Sequence, residues 1–105
     1  MTKVKFFCSG DTVSGFEISG HTGAGEAGQD IVCSAVSSAA YLVANTVLEV
    51  LKIQAGAVVR DGYMKFVIPN ENLSETKVLT DGLVLHLTEL QSQYPQHIKI
   101  ERGAI

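Results

Sequence analysis

Val4, Phe6 and Cys8 alternate with Lys3, Lys5 and Phe7 at the start of the chain, the two-residue period of a strand with one face in a core and one in water. Ser9-Gly10-Asp11 supplies a turn. From Thr12 to Gly20 the same period returns, with Phe16 and Ile18 on one side and Glu17 and Ser19 on the other, so a hairpin is predicted. His21 falls at its end. From Thr22 to Gln29 three glycines and no large apolar side chain leave little to anchor the chain, and a mobile loop is expected.

The pattern then becomes helical. From Ile31 to about Gln54 the chain is rich in Ala, Val and Leu and holds no proline or glycine, and Gly56 supplies a stop signal beyond. Val32, Val36, Ala39, Ala40, Val43, Val47, Val50 and Leu51 form a broad apolar stripe, and Ser37 and Ser38 permit close approach of a neighbouring backbone. Ala57–Arg60 and Tyr63–Ile68 flank Asp61-Gly62, the clearest hairpin signal in the chain. Asn72-Leu73-Ser74-Glu75 reads as a capping box headed by Asn, and Leu79, Leu83, Leu87 and Leu90 continue a second helix that stops near Tyr94-Pro95. His97–Glu101, with Ile98 and Ile100 on one parity, predicts a last strand. The expected fold is α+β in the order β-β-α-β-β-α-β, one compact domain over residues 1–105 with a mixed sheet packed against two helices.

At 105 residues and 46% hydrophobic, the chain suits a single core. A net charge of −3 and a pI near 5.5 argue against broad, non-specific nucleic-acid binding, although a local basic groove stays open; no direct nucleic-acid partner is expected. Met1-Thr2-Lys3 leads into alternating residues rather than a signal sequence. No apolar run approaches the ~18 residues of a membrane span, so a cytoplasmic protein without a membrane partner is expected. In that compartment Cys8 and Cys33 are expected as free thiols.

Those two thiols differ in setting. Cys8 shares the parity of Val4 and Phe6 and belongs to the strand core. Cys33 lies where the glycine-rich loop turns into the long helix, which predicts a place in the first helical turn, where unpartnered N–H groups favour a thiolate. His21 stands at the other mouth of the same loop, and a thiol and an imidazole are the minimum parts of cysteine nucleophilic catalysis. Each residue also has a plain reading: Cys33 as a small core filler, His21 as a strand end, and Asp30 as the helix N-cap. His86 and His97 lie away from any such loop and read as solvated or packed.

Other chemistries fit less well. Gly23-Ala24-Gly25-Glu26-Ala27-Gly28 matches G-x-G-x-x-G, but Glu26 and Asp30 stand where a pyrophosphate would sit, and no single parallel strand follows the helix. A P-loop lacks its Gly-Lys-Ser or Gly-Lys-Thr. Two cysteines and three histidines show no paired ligand spacing, so no metal and no cofactor is expected.

Gly20-His21-Thr22, then Gly25-Glu26 and Gly28, then Asp30-Ile31-Val32-Cys33-Ser34-Ala35-Val36-Ser37, resembles the signature of the ribosomal-processing cysteine proteases, the Prp family. The element order of the whole chain is similar too. The resemblance implies an endopeptidase that removes a short N-terminal extension from large-subunit ribosomal protein twenty-seven, cutting after two aromatic residues and before a small one, and working as a homodimer. It places the nucleophile on Cys33 and its histidine on His21, with Asp30 and Ser37 at further motif positions. Thr22 and Ala27 depart from the family pattern, which commonly has Ala and an aromatic residue there; both bear on loop packing and substrate contacts, not on the dyad.

The mechanism this implies is an acyl-enzyme route in which His21 activates Cys33, protonates the leaving amine and then activates water. The backbone N–H groups of Cys33 and Ser34 are the expected oxyanion donors, and Asp30 a candidate to orient His21. Ser37, one turn after Cys33 on the same helix face, either hydrogen-bonds to the site or packs beside it. Thr22, Gly23, Gly25, Glu26 and Gly28 would form a substrate loop that closes over the peptide. A non-enzymatic ribosome-assembly factor that binds the same ribosomal protein is the alternative.

Overall fold

In the computed structural model, residues 1–20 and 27–104 are described, with side chains in the first helix from Ile31 onward. The strands are β1 (Thr2–Ser9), β2 (Thr12–Ser19), β3 (Gly56–Arg60), β4 (Tyr63–Val67) and β5 (Ile98–Gly103); the helices are α1 (Ala27–Asn45) and α2 (Leu73–Gln93). The predicted β-β-α-β-β-α-β order and the α+β class hold. The sheet runs β3-β4-β2-β1-β5, antiparallel except that β5 lies parallel to β1.

Strand alternation decides which face is buried. Val4, Phe6, Phe16, Ile18, Met64, Phe66 and Ile98 join one core cluster with Val32, Val36, Ala40, Val43 and Val47 of the long helical segment and with Leu83 and Leu87 of α2. Phe16 and Phe66, with ring centroids 5.5 Å apart, sit at its centre. Both helices therefore cover one face of the sheet. The intervening residues face the other way, and Phe7 there is shielded beneath Lys5 and Lys65, whose Nζ atoms lie 5.8 and 5.6 Å from its ring centroid. A bulge between Phe7 and Cys8 shifts the register, so Cys8 is only half-buried against the core.

The helix limits differ from the sequence reading. α1 begins at Ala27, four residues before Ile31, so Ala27, Gly28 and Gln29 belong to the helix rather than to the expected loop. At its far end a π-helical turn covers Thr46–Val50, where the Leu51 N–H bonds to the Thr46 carbonyl at 2.8 Å. This wider turn rotates the stripe, and Val50 and Leu51, expected in the core, are exposed. The chain leaves the helix at Lys52, whose φ of +59° is the left-handed conformation of a helix stop, while Gly56 opens β3 instead.

Ile31–Val50 also has the length and composition to cross a membrane, with a mean hydropathy of 1.7, contrary to the sequence expectation that no such segment exists. Serines and Asn45 interrupt any run of apolar letters, but no charge falls before Glu49. In this fold its Val32, Val36, Val43 and Val47 are core residues.

At the start of α2 a 3₁₀ turn, Asn70–Asn72, precedes the helix. The Asn72 side chain donates to the Glu75 carboxylate at 2.6 Å and makes no cap to the backbone, so the expected capping box is not formed. Leu83 and Leu87 are buried as predicted, and Thr76 and Thr80 are fully buried beside them. Their hydroxyls are satisfied by carbonyls of the preceding turn, Thr76 by Asn72 at 3.1 Å and Thr80 by Lys77 at 3.2 Å.

Candidate active site

Cys33 is the seventh residue of α1, one full turn further in than the sequence suggested. Its own N–H and that of Ser34 therefore belong to the hydrogen-bonded interior of the helix, not to the four leading N–H groups. The expectation that these two amides form the oxyanion hole is corrected accordingly. So is the activation of the thiol by first-turn dipoles, because that field falls off within the first turn. Asp30 is the fourth residue of the helix rather than the residue before it, so it is not the N-cap. His21, Thr22, Gly23, Gly25 and Glu26, expected in the site, lie outside the described residues, and Gly28 is helical.

What the helix does settle is direction. Cys33, Ser37 and Tyr41 follow at intervals of four and share one face, and all three line a cavity of about 120 Å³ between α1 and the end of the sheet. Its opposite wall comes from Ile18 and Ser19 at the end of β2 and from Arg60, Tyr63 and Met64 around the β3–β4 turn. Cys33 is 8% exposed, and this cavity is where its neighbourhood opens. Ser37 thus meets Cys33 in one space, as its spacing predicted. Tyr41, Arg60 and Tyr63 were missed. Tyr41 was legible as the next step of the same face, whereas the hairpin residues reach the site through the β2–β4 pairing, which no local pattern reveals.

Two of these residues are held in a polar arrangement at the rim. The Arg60 guanidinium stacks over the Tyr63 ring at 4.4 Å, and the Tyr63 hydroxyl donates to Glu17 Oε2. That carboxylate holds the Tyr63 phenol above its usual pKa, with burial adding to it and Arg60 opposing it. Among the described residues no group of His, Cys, Asp and Glu side chains is arranged to hold a metal.

β2 ends at Ser19, and Gly20 follows with φ +97°, a conformation that side chains resist. A Cβ on Gly20 would stand 2.5 Å from the Met1 carbonyl oxygen, so both the space and the backbone call for glycine. This is how the chain leaves the sheet immediately beside the cavity.

A thiol opening from a helix into a small cleft at the end of a sheet can serve as a nucleophile, although no histidine lines the cleft among the described residues. Comparison with known proteins fixes the class. The family model of cysteine protease Prp matches residues 1–99, and the chain belongs to that family. The ribosomal processing cysteine protease Prp of Bacillus subtilis is 24% identical over 96 residues, covering 86% of both chains. Among solved structures, SMU.848 from Streptococcus mutans superposes with a TM-score of 0.88 at 24% identity, covering 100% of this chain and 99% of its own. An essential ribosomal processing protease Prp from S. aureus, in complex with a substrate peptide, gives 0.86 at 19% identity, covering 97% and 99%. The same protein with a covalently linked product peptide gives 0.82 at 20% identity over the same shares.

The two cysteines allow a direct check of reactivity. Cys8 is the more exposed, so access alone favours its modification. Iodoacetamide reacts with the thiolate, so a base that draws the proton from Cys33 would make Cys33, despite its burial, the first to be alkylated in folded protein, and that is the expected result. Peptide mapping over time measures it, and faster loss of Cys8 would show that Cys33 is not activated.

Proposed function

We propose that this protein is the endopeptidase that removes the short N-terminal extension of large-subunit ribosomal protein twenty-seven, in the cytoplasm and as a homodimer. One observation carries the reading: Cys33 and Ser37 open into the same cavity as Ser19, two residues before His21. The solved relatives described as complexes with a substrate peptide and with a covalently linked product peptide support it, since a covalent product is what a thiol nucleophile forms.

In this mechanism His21 takes the proton of the Cys33 thiol, and Sγ attacks the scissile carbonyl carbon. The C–N bond breaks as His21 returns the proton to the leaving amine, leaving a thioester to the extension. His21 then takes a proton from water, the resulting hydroxide attacks the thioester, and the thiolate departs. Asp30 orients His21, and Ser37 supports the reacting groups by a hydrogen bond. Thr22, Gly23, Gly25 and Glu26 belong to the segment that contacts substrate. No metal or cofactor takes part.

The test is incubation of the purified native protein with the extended ribosomal protein, read by intact-mass spectrometry. Release of the extension by a single cut between an aromatic pair and a small residue is expected. Stable binding of the extended protein without any cut would instead establish the assembly-factor reading.

A further inference from the structure

We propose that the helix-free face of the sheet is an RNA-binding surface. Lys3, Lys5, Lys65 and Lys99 occupy strand positions that alternate with core residues, and Arg60 of the fully exposed β3 pairs with Tyr63 on the same side, so five of the chain's eight basic residues lie on this face. Among the described residues only two acids, Glu17 and Glu101, share it. The described part of this face therefore carries +3 in a chain whose net charge is −3. The net charge of −3 concealed this separation, and with it the local basic surface that the sequence left open.

A solvated sheet face needs polar side chains, not charges of one sign, and here two pairings are arranged at some cost in stability. Lys3 is the direct cross-strand partner of Lys99, and like charges so placed repel, with only the 3.3 Å contact from Lys99 to Glu101 to offset them. Glu17 lies in register between Lys5 and Lys65, yet its carboxylate is turned to the Tyr63 hydroxyl. Both lysines instead rest against Phe7 and form no ion pair among the described residues. The ring holds two free ammonium groups in place.

With strands about 4.8 Å apart and alternate residues about 6.8 Å apart, the cations form a flat array suited to a phosphate backbone. The choice of RNA over other polyanions rests on the function proposed above, because a ribosomal protein is a substrate whose own partner is RNA. Arg60 and Tyr63 border both this face and the Cys33 cavity, so RNA bound here would lie at the mouth of the site.

The experiment is fluorescence anisotropy with a short labelled RNA hairpin at several salt concentrations, using native protein, Lys5→Glu/Lys65→Glu, and Lys52→Glu/Lys77→Glu as an off-face control. Lys5→Gln/Lys65→Gln, checked by circular dichroism, guards against misfolding from charge reversal. Native binding is expected to weaken with salt, and both on-face variants to lose about tenfold or more in affinity, with the log–log salt slope reduced by about 0.7–0.9 for each cation removed. The control should bind as native. No native binding at low salt, or equal loss in the control, would overturn the proposal; so would poly-glutamate competing as well as RNA, which would point to an acidic protein partner. Cleavage of free peptide is read in parallel and is expected to be unchanged by the on-face variants. RNA binding by a protein that cuts nothing would sink the protease reading and leave this one standing.

Discussion

Replacing Cys33 by alanine is expected to lower kcat for peptide cleavage by about 10⁴-fold or more, because no other described group in the cavity offers a comparable nucleophile. His21→Ala should have a similar effect. The double variant should be no worse than either single one, since two groups that act as one chemical unit do not contribute separately. Stability supplies the discriminating readout. Removing one sulfur from an already open site should shift Tm by no more than about 5 °C. If Cys33 were only a core filler, the alanine variant would cut at the native rate and lose stability alone. Continuous cleavage of a quenched fluorescent peptide, with thermal unfolding of the same samples, separates the two outcomes.

The difference between sequence and structure around this residue has a local cause. The strand periods, both hairpins and the order of elements were legible because alternation and turn residues are properties of neighbouring positions. Helix starts are not. Gly28 looked like loop, yet α1 begins at Ala27 despite it, since one glycine costs only about 1 kcal/mol that packing elsewhere recovers. That shift moved Cys33 from the first turn into the second and with it removed two amides from the expected oxyanion hole. Four-residue spacing is insensitive to where a helix begins, so the Cys33–Ser37 alignment survived. The other wall of the cavity was out of reach for a different reason. Arg60, Tyr63 and Met64 arrive through pairing of β4 with β2, a contact between residues more than forty positions apart. Thr76 and Thr80 were passed over because hydroxyls that bond back to their own helix can stand in an apolar stripe without leaving a polar atom unsatisfied.

Gly15→Ala is expected to be the most damaging alanine substitution among the described glycines, at about 3 kcal/mol and hence roughly 15 °C in Tm. Gly15 sits in β2, where it faces Phe7 of β1 on one side and Val67 of β4 on the other. A Cβ there would lie 2.2 Å from the Phe66 carbonyl oxygen and 3.1 Å from the Val67 Cα, both backbone atoms that no rotamer change can move aside. The strands are clamped at this point by the Ile68 N–H donating to the Ser14 carbonyl at 2.8 Å and by the buried Ser14 hydroxyl donating to the Phe7 carbonyl at 3.2 Å. Relief therefore requires β4 to move away from β2, carrying Tyr63 and Met64 with it. Since those residues wall the cavity opposite Cys33, activity at temperatures well below Tm should fall as well. The exposed Gly82 of α2 provides the opposite case: its added Cβ meets nothing within 4 Å, and Gly82→Ala should stabilise by about 1 kcal/mol through helix propensity alone. Urea unfolding of both variants measures the contrast. A Gly15→Ala protein as stable as native would mean that β2 and β4 are not held this closely, and the far wall of the active-site cavity would then have to be redrawn.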